Sequence, residues 1–337
     1  MATKQSLTDN NIIEWNDIRP RYDHPALLLG NGFSMMLSPN FSYNSLFTIF
    51  LNQCDDQKRD LFSQFDTTNF ELIQKYLLYA RKVNQILNLS TQEIEEALTA
   101  LKTGLIAAIE EVHPRIADID MGRLSDIAGQ LDYFGDIFTT NYDLYFYHLI
   151  MLSKDLSKVN KDYIAYQDWF WGNRAPVGFL QFMDSQELRC KNVFYLHGSL
   201  FIFNNGVMNI KLKRAAQGDE LIELIANEIR HDRFPVFVTE GNSKQKLETI
   251  NNSNYLLFCL DKLKNCRDAI VIFGNSLGEF DNHIIDAIRL NVRPIIYCIY
   301  NGNRSIDDIM VEKHTFLAKF NNYRADIDFI DSSTVFV

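Results

Sequence analysis

The chain has 337 residues, of which 47% are hydrophobic and 13% aromatic, and a formal charge of −10. That length and apolar content allow one large domain or two modest ones with a sizeable core, and they exclude bulk disorder. The acidic balance excludes a protein that coats nucleic acid, which needs a dense basic surface, but not a nucleotide held by backbone amides.

Five cysteines, Cys54, Cys190, Cys259, Cys266 and Cys298, form no C-x-x-C pair. Their number and apolar settings are those of reduced thiols in a cytoplasmic protein. The opening stretch MATKQSLTDNN lacks the charged-then-apolar order of a signal peptide. No apolar run approaches the ~18 residues of a membrane helix, so a soluble chain without a membrane partner is expected.

From the N-terminus, the first strand is expected at 26–30 (ALLLG). Residues 58–131 follow with long helical periodicities and no good strand, and read as a helical insertion before the second strand. Within it, Ser90-Thr91-Gln92-Glu93 fits a capping box with Ser90 as N-cap and Glu93 reaching back. Further strands are expected at 135–140 (GDIFTT), 193–197 (VFYLH), 235–239 (PVFVT), 269–274 (AIVIFG), 293–299 (RPIIYCI) and 326–330 (DIDFI). Most are apolar on successive residues, the pattern of strands covered by helices on both faces. Helical patterns at 244–265, 280–290 and 305–320 alternate with them. Residues 161–190, rich in aromatic and polar side chains, read as an ordered loop, and Asn204-Asn205-Gly206 between two apolar runs signals a hairpin. The alternation predicts an α/β fold with a doubly wound, mostly parallel, Rossmann-like sheet, in a single domain over 1–337 that carries the 58–131 insertion.

Four polar or glycine-rich stretches lie at predicted carboxyl ends of strands, where open α/β sheets bind ligands. They are Gly30-Asn31-Gly32-Phe33-Ser34, Thr139-Thr140-Asn141-Tyr142-Asp143, Leu196-His197-Gly198-Ser199 and Gly274-Asn275-Ser276-Leu277-Gly278. The two glycine stretches can bring backbone amides up to a pyrophosphate on a helix N-terminus, or can be plain strand-to-helix turns. Thr140 or Asn141 can cap the helix that follows them, or Asn141 and Asp143 can line a cleft beside His197; Asp281 can cap or start the helix after the second glycine stretch. His197 is the histidine best placed for chemistry; His24 and His113 precede prolines, and His148, His231, His283 and His314 fall within helical patterns. Glu240 and Lys244 can touch a ligand or simply start a solvated helix, and the stretch around Trp169 and Trp171 can be a lid or can pack on the sheet.

These stretches, in this order, resemble the sirtuin superfamily. Gly30 to Ser34 looks like its glycine-alanine-glycine-x-serine loop, and Thr139-Thr140-Asn141-Tyr142-Asp143 is similar to its threonine-glutamine-asparagine-x-aspartate motif. Leu196-His197-Gly198 matches leucine-histidine-glycine, residues 236–241 stand in place of the strand ending in phenylalanine-glycine-glutamate, and Gly274-Asn275-Ser276-Leu277 is similar to glycine-threonine-serine-leucine. Residues 294–301, ending at Asn301, are similar to the late strand that reaches the adenosine. The nearest likeness is to bacterial sirtuin-like proteins, many of them NAD-consuming effectors of anti-phage defence. Thr140 stands where the family has glutamine, and residues 200–234 contain no cysteine, so the zinc ribbon that shapes the acyl-lysine groove of the deacylases is missing.

The resemblance implies an NAD+ hydrolase (NADase) that releases nicotinamide and ADP-ribose, with NAD+ as substrate and no metal. It implies Asn141, His197 and Asp143 as catalytic residues. Gly30, Asn31, Gly32, Phe33, Ser34, Thr140, Gly241, Gly274, Asn275, Ser276 and Asn301 would bind the dinucleotide. His197 would act as general base near its ordinary pKa of about 6.5. A harmful activity implies control by a homo-oligomer or by a separate sensor or activator protein, and residues 58–131 are the expected partner surface. The alternatives are a protein deacylase or ADP-ribosyltransferase, and a non-catalytic NAD or ADP-ribose sensor. No G-x-x-x-x-G-K-[ST] motif is present.

Overall fold

In the computed structural model, which describes residues 2–38, 46–113, 119–160, 165–172, 175–184, 191–213, 221–238 and 241–337, apolar strands meet in two sheets. In chain order the strands are β1 (Ile12–Ile13), β2 (Ala26–Leu29), β3 (Ile137–Thr139), β4 (Tyr166–Gln167), β5 (Phe170–Trp171), β6 (Phe179–Phe182), β7 (Lys191–Tyr195), β8 (Gly198–Asn204), β9 (Asn209–Leu212), β10 (Pro235–Phe237), β11 (Ile270–Phe273), β12 (Ile295–Ile299) and β13 (Ile327–Asp331). Eight of them form a sheet in the order β1-β13-β12-β11-β2-β3-β7-β4, and every pairing in it is parallel. The residues of β2, β11 and β12 are buried throughout. Unbroken apolar runs produce this burial because helices cover both faces. The α/β, doubly wound expectation therefore holds.

The connections give the sheet its direction. From β2 the chain moves outward to β3 and β7, whereas β11, on the other side of β2, leads outward to β12 and β13. The strand order reverses between β2 and β11, which pair along Ala26–Leu29 and Ile270–Phe273. A crevice at such a reversal is where ligands bind in this class of fold.

Between β2 and β3 lie the helices Leu46–Gln53, Asp56–Gln64, Phe70–Leu87, Gln92–Val112 and Met121–Gln130. The insertion thus begins before residue 58. It is held by edge-to-face rings: Phe50, Phe62 and Phe70 meet with centroids 4.9–5.5 Å apart. Gly104 lets Phe50 approach, since a Cβ there would lie 2.8 Å from the ring. The capping box expected with Ser90 as N-cap is not formed. Thr91 is the N-cap, and the Ser90 hydroxyl bonds Glu93 and accepts from the Gln92 N–H.

The second sheet corrects two expectations. Strands β10-β8-β9-β6-β5 form an antiparallel sheet of five. The 235–239 strand belongs there rather than to the parallel sheet, because β7 passes through His197 directly into β8 and its apolar run needs a partner. The aromatic stretch expected as a loop contributes β4, β5 and β6; residues 161–164, 173–174 and 185–190, with Cys190, lie outside the described residues. Trp169 is buried, packed on Phe258 and Trp171, so this stretch is core rather than lid. The hairpin signal was sound, with β8 and β9 paired from Asn204↔Asn209 outward. The helix expected over 244–265 is two helices, Ser243–Asn251 and Asn254–Asn265, the second capped by Ser253. Among the described residues no helix is long and apolar enough to cross a membrane.

Candidate functional site

Parallel strands deliver their carboxyl ends to one edge, and the predicted stretches meet there. The loops after β2 and β11 touch through backbone. Gly30 N–H donates to the Phe273 carbonyl at 2.9 Å and Gly32 N–H to the Gly274 carbonyl at 2.8 Å. A Cβ on Gly30 would lie 2.5 Å from Asn275 Cβ, and one on Gly32 2.6 Å from Gly274 Cα. Gly274 has φ +66°. These glycines first serve the close approach of the two loops. The N–H groups of Gly30, Gly32 and Phe33 are all given to protein carbonyls, which corrects the expectation of a pyrophosphate cradle built from them. Phe33 is corrected too: it is buried edge-on against Phe146, Phe273 and Phe336, a core ring rather than a cofactor contact.

The loop after β3 locks onto both. Asn141 uses its two amide hydrogens on the Gly30 carbonyl at 3.0 Å and the Ser34 hydroxyl at 2.9 Å. Ser34 passes its own hydrogen to Asp143, whose other oxygen accepts from Tyr145 N–H at 2.8 Å. The N-cap of the helix Tyr145–Val159 is Leu144, not Thr140 or Asn141 as expected, and the Asp143 carboxylate before it takes the first N–H of the helix. Burial raises the Asp143 carboxyl above the ordinary range, against the pull of these hydrogen bonds. Thr140 donates to the Leu29 carbonyl and accepts from the Asn275 amide at 3.1 Å, so its hydroxyl is spoken for. Asn141 Oδ1 makes no hydrogen bond among the described residues, which leaves an acceptor at the edge of the crevice.

His197 lies two residues beyond Tyr195, and Asn141 two beyond Thr139, on strands that pair Thr139↔Tyr195. The backbone of His197 is held between the sheets: Leu196 N–H donates to the Thr139 carbonyl, and the His197 carbonyl accepts from Val238 N–H, both at 2.8 Å. Its ring meets a residue that sequence reasoning set aside. His197 Nε2 and His283 Nε2 are 2.8 Å apart, with the residues 6% and 5% exposed. One of these nitrogens carries the hydrogen and the other the lone pair. Burial pushes the His197 ring well below its ordinary pKa, reinforced by His283 and Lys246, and burial pushes His283 down to about 4. The expectation of a base near 6.5 is thereby corrected to a pair that is neutral at pH 7.

His283 was placed in a helix interior, yet it sits in the first turn of Asn282–Leu290, directly after the β11 loop. A histidine so close behind a strand-end loop must return to the same edge, and that was the missed signal. Asp281 does not cap this helix with its side chain; Lys246 holds its carboxylate at 2.6 Å. Lys246, not Lys244, is the lysine of this stretch that reaches the site.

The remaining predicted residues lie farther out. Asn301, beyond β12, donates to Asp331 at 2.6 Å. Ser276 is exposed, and its carbonyl accepts from Lys319. Gly241, at φ +143°, packs against Gln245 and Thr68 of the insertion rather than against the crevice loops. Asn31 is exposed at the helix start, and Glu240 lies outside the described residues.

No curated protein matches the chain. Residues 27–337, from β2 through every loop of the crevice to the C-terminal residue, match the model of the domain of unknown function DUF4917, and the protein belongs to that family.

Proposed function

We propose that the protein is an NAD+ glycohydrolase, with the crevice between β2 and β11 as its dinucleotide site. The observation that carries this reading is the coincidence of three features. The strand order reverses between β2 and β11; three strand-end loops interlock around that reversal; and a neutral imidazole pair ends the neighbouring strand system.

In the reaction, the bond from the ribose anomeric carbon to the nicotinamide nitrogen breaks, and its electron pair leaves on nicotinamide. Positive charge develops on the ribose ring, and a water oxygen forms the new bond. Asn141 Oδ1 is an acceptor, the polarity required to orient that water or a ribose hydroxyl. Two neutral imidazoles carry two N–H groups and two lone pairs, and their mutual bond uses one of each. The remaining lone pair takes the proton of the water. A depressed pKa makes this a weak base, which suits a reaction in which departure of the leaving group runs ahead of attack. Asp143 acts at one remove, by fixing Ser34 and through it Asn141.

The exposed side chains of Tyr79, Val83, Ile86 and Leu87 on Phe70–Leu87 support the expectation that the insertion meets a partner or a second copy. The test is incubation of purified protein with NAD+, followed by separation of products. Free ADP-ribose and nicotinamide are expected, and both should vanish in Asn141→Ala and His197→Ala proteins that keep the wild-type circular dichroism. Acylated ADP-ribose formed only with an acyl peptide would instead mark a deacylase. Full hydrolysis by both variants would overturn the assigned roles.

A further inference from the structure

We propose that His197, His283 and Asp281 form a binding site for one divalent transition-metal ion of the zinc or cobalt class. The two imidazole Nε2 atoms face each other 2.8 Å apart, and one ring nitrogen of each histidine and an Asp281 carboxylate oxygen all lie within 4.8 Å of one another. Two imidazoles and one carboxylate are a donor set that such ions take, with a position left for water or an added ligand. Bonds of about 2.0–2.2 Å at a tetrahedral angle separate neighbouring donors by about 3.4 Å. Turning the two rings apart by roughly half an ångström at the nitrogens therefore admits an ion.

The ligands come from two fixed places. His197 is pinned between the sheets by the bonds of Leu196 N–H and Val238 N–H. Asp281 and His283 are two residues apart at the start of Asn282–Leu290. Among the described residues, the charged groups acting on the histidine pair are Asp281 and Lys246. Lys246 holds one carboxylate oxygen at 2.6 Å and fixes its orientation, which leaves the second oxygen for the ion. The same ammonium repels a cation, so micromolar rather than nanomolar affinity is expected.

The inference stands apart from the hydrolase reading. An ion held by both Nε2 atoms leaves each ring with its hydrogen on Nδ1 and no lone pair for the base, so ion binding and hydrolysis by this pair exclude each other. It is tested on full-length protein stripped with a chelator and titrated with Co2+, read by visible absorption, and with Zn2+, read by calorimetry. One ion per chain is expected, with the strong visible bands of a four- or five-coordinate cobalt site. Affinity should fall at least about tenfold in His283→Gln and in Asp281→Asn, and should be unchanged in the double variant Cys54→Ser/Cys266→Ser, which removes the half-buried thiols. Thermal melts establish that each variant is folded; if His283→Gln is not, Asp281→Asn carries the test. No saturable binding below about 1 mM, or binding untouched by either substitution in folded protein, would overturn the site.

Discussion

Replacing Gly274 by alanine tests whether backbone contact between the β2 and β11 loops sets the geometry of the crevice. Gly274 has φ +66°, a conformation that costs an alanine about 1–2 kcal/mol. The new Cβ would also stand 2.6 Å from Phe33 N and 2.8 Å from Gly32 Cα. These are backbone atoms and cannot swing aside, so the loops must part by more than half an ångström to restore an ordinary contact of about 3.4 Å. That separation stretches the 2.8 Å bond from Gly32 N–H to the Gly274 carbonyl, a further loss of about 1 kcal/mol. The sum is about 3 kcal/mol, or roughly 4 °C in Tm for a chain of this size. Gly278→Ala is the matched control in the same loop: its φ is −54°, and the nearest atom to an added Cβ is Asp281 Oδ2 at 4.0 Å. Thermal melts followed by circular dichroism should show a drop for Gly274→Ala and a change under about 1 °C for Gly278→Ala. Equal shifts in the two proteins would refute the contact argument.

Ser34→Ala should cost about 2–3 kcal/mol by urea denaturation, because it strands a buried Asp143 oxygen and an Asn141 amide hydrogen together; a loss below about 0.5 kcal/mol would mean that the chain of bonds contributes little. Burial holds the Glu71 carboxyl up at about 7, against a weaker pull from Lys75. A carboxyl raised on folding binds its proton more tightly in the native state, so the stability this gives is full below the unfolded pKa, near 4.5, and is lost as pH rises through about 7. Glu71→Gln should then raise the stability at pH 8 by on the order of 2 kcal/mol, after allowance for the water that reaches the group, and change it little at pH 4, by urea denaturation at each pH; an equal gain at both values would show that the charge is not the cause. Lys211 and Asp168 form an ion pair with side chains 3% and 2% exposed, so Lys211→Met alone should cost about 3–5 kcal/mol and Asp168→Leu/Lys211→Met much less. A double variant as unstable as the single one would speak against an uncompensated buried carboxylate.

The parallel sheet was legible because strands buried on both faces must be apolar at successive residues, as ALLL at 26–29 and IVIF at 270–273 are. The second sheet was not, because β5 has two residues and β10 three, too little length for periodicity to speak. Residues 198–204 are apolar and buried almost throughout, which fits a strand of either kind. Nothing local in VFYLHGSLFIF tells that the chain changes sheets at the histidine. Only the positive φ of Gly198, where a Cβ would fall 2.1 Å from the Val236 carbonyl oxygen, marks the turn. At the site, polar side chains after strands were recognised as a group, but their partners were not. Asn275 and Thr140 are far apart in sequence and bond only because β11, β2 and β3 are neighbours.

The change of sheet is also what makes the position of His197 exacting. A strand-end side chain in an ordinary βα unit is held from one side, by its own sheet, and the loop beyond it can drift. Here the strand before the histidine is bonded to β3 through Leu196, and the histidine itself to the residue after β10 through its carbonyl. Its ring is then met by His283 from the helix after β11. Three separately anchored elements thus converge on one imidazole, at the edge where the β2 and β3 loops are already locked by Ser34, Asn141 and Asp143. Packing alone needs neither a desolvated imidazole pair nor a buried carboxylate, and each costs stability that an apolar side chain in its place would not. Groups of this kind are enriched at functional sites, and here they share one edge with the reversal in strand order.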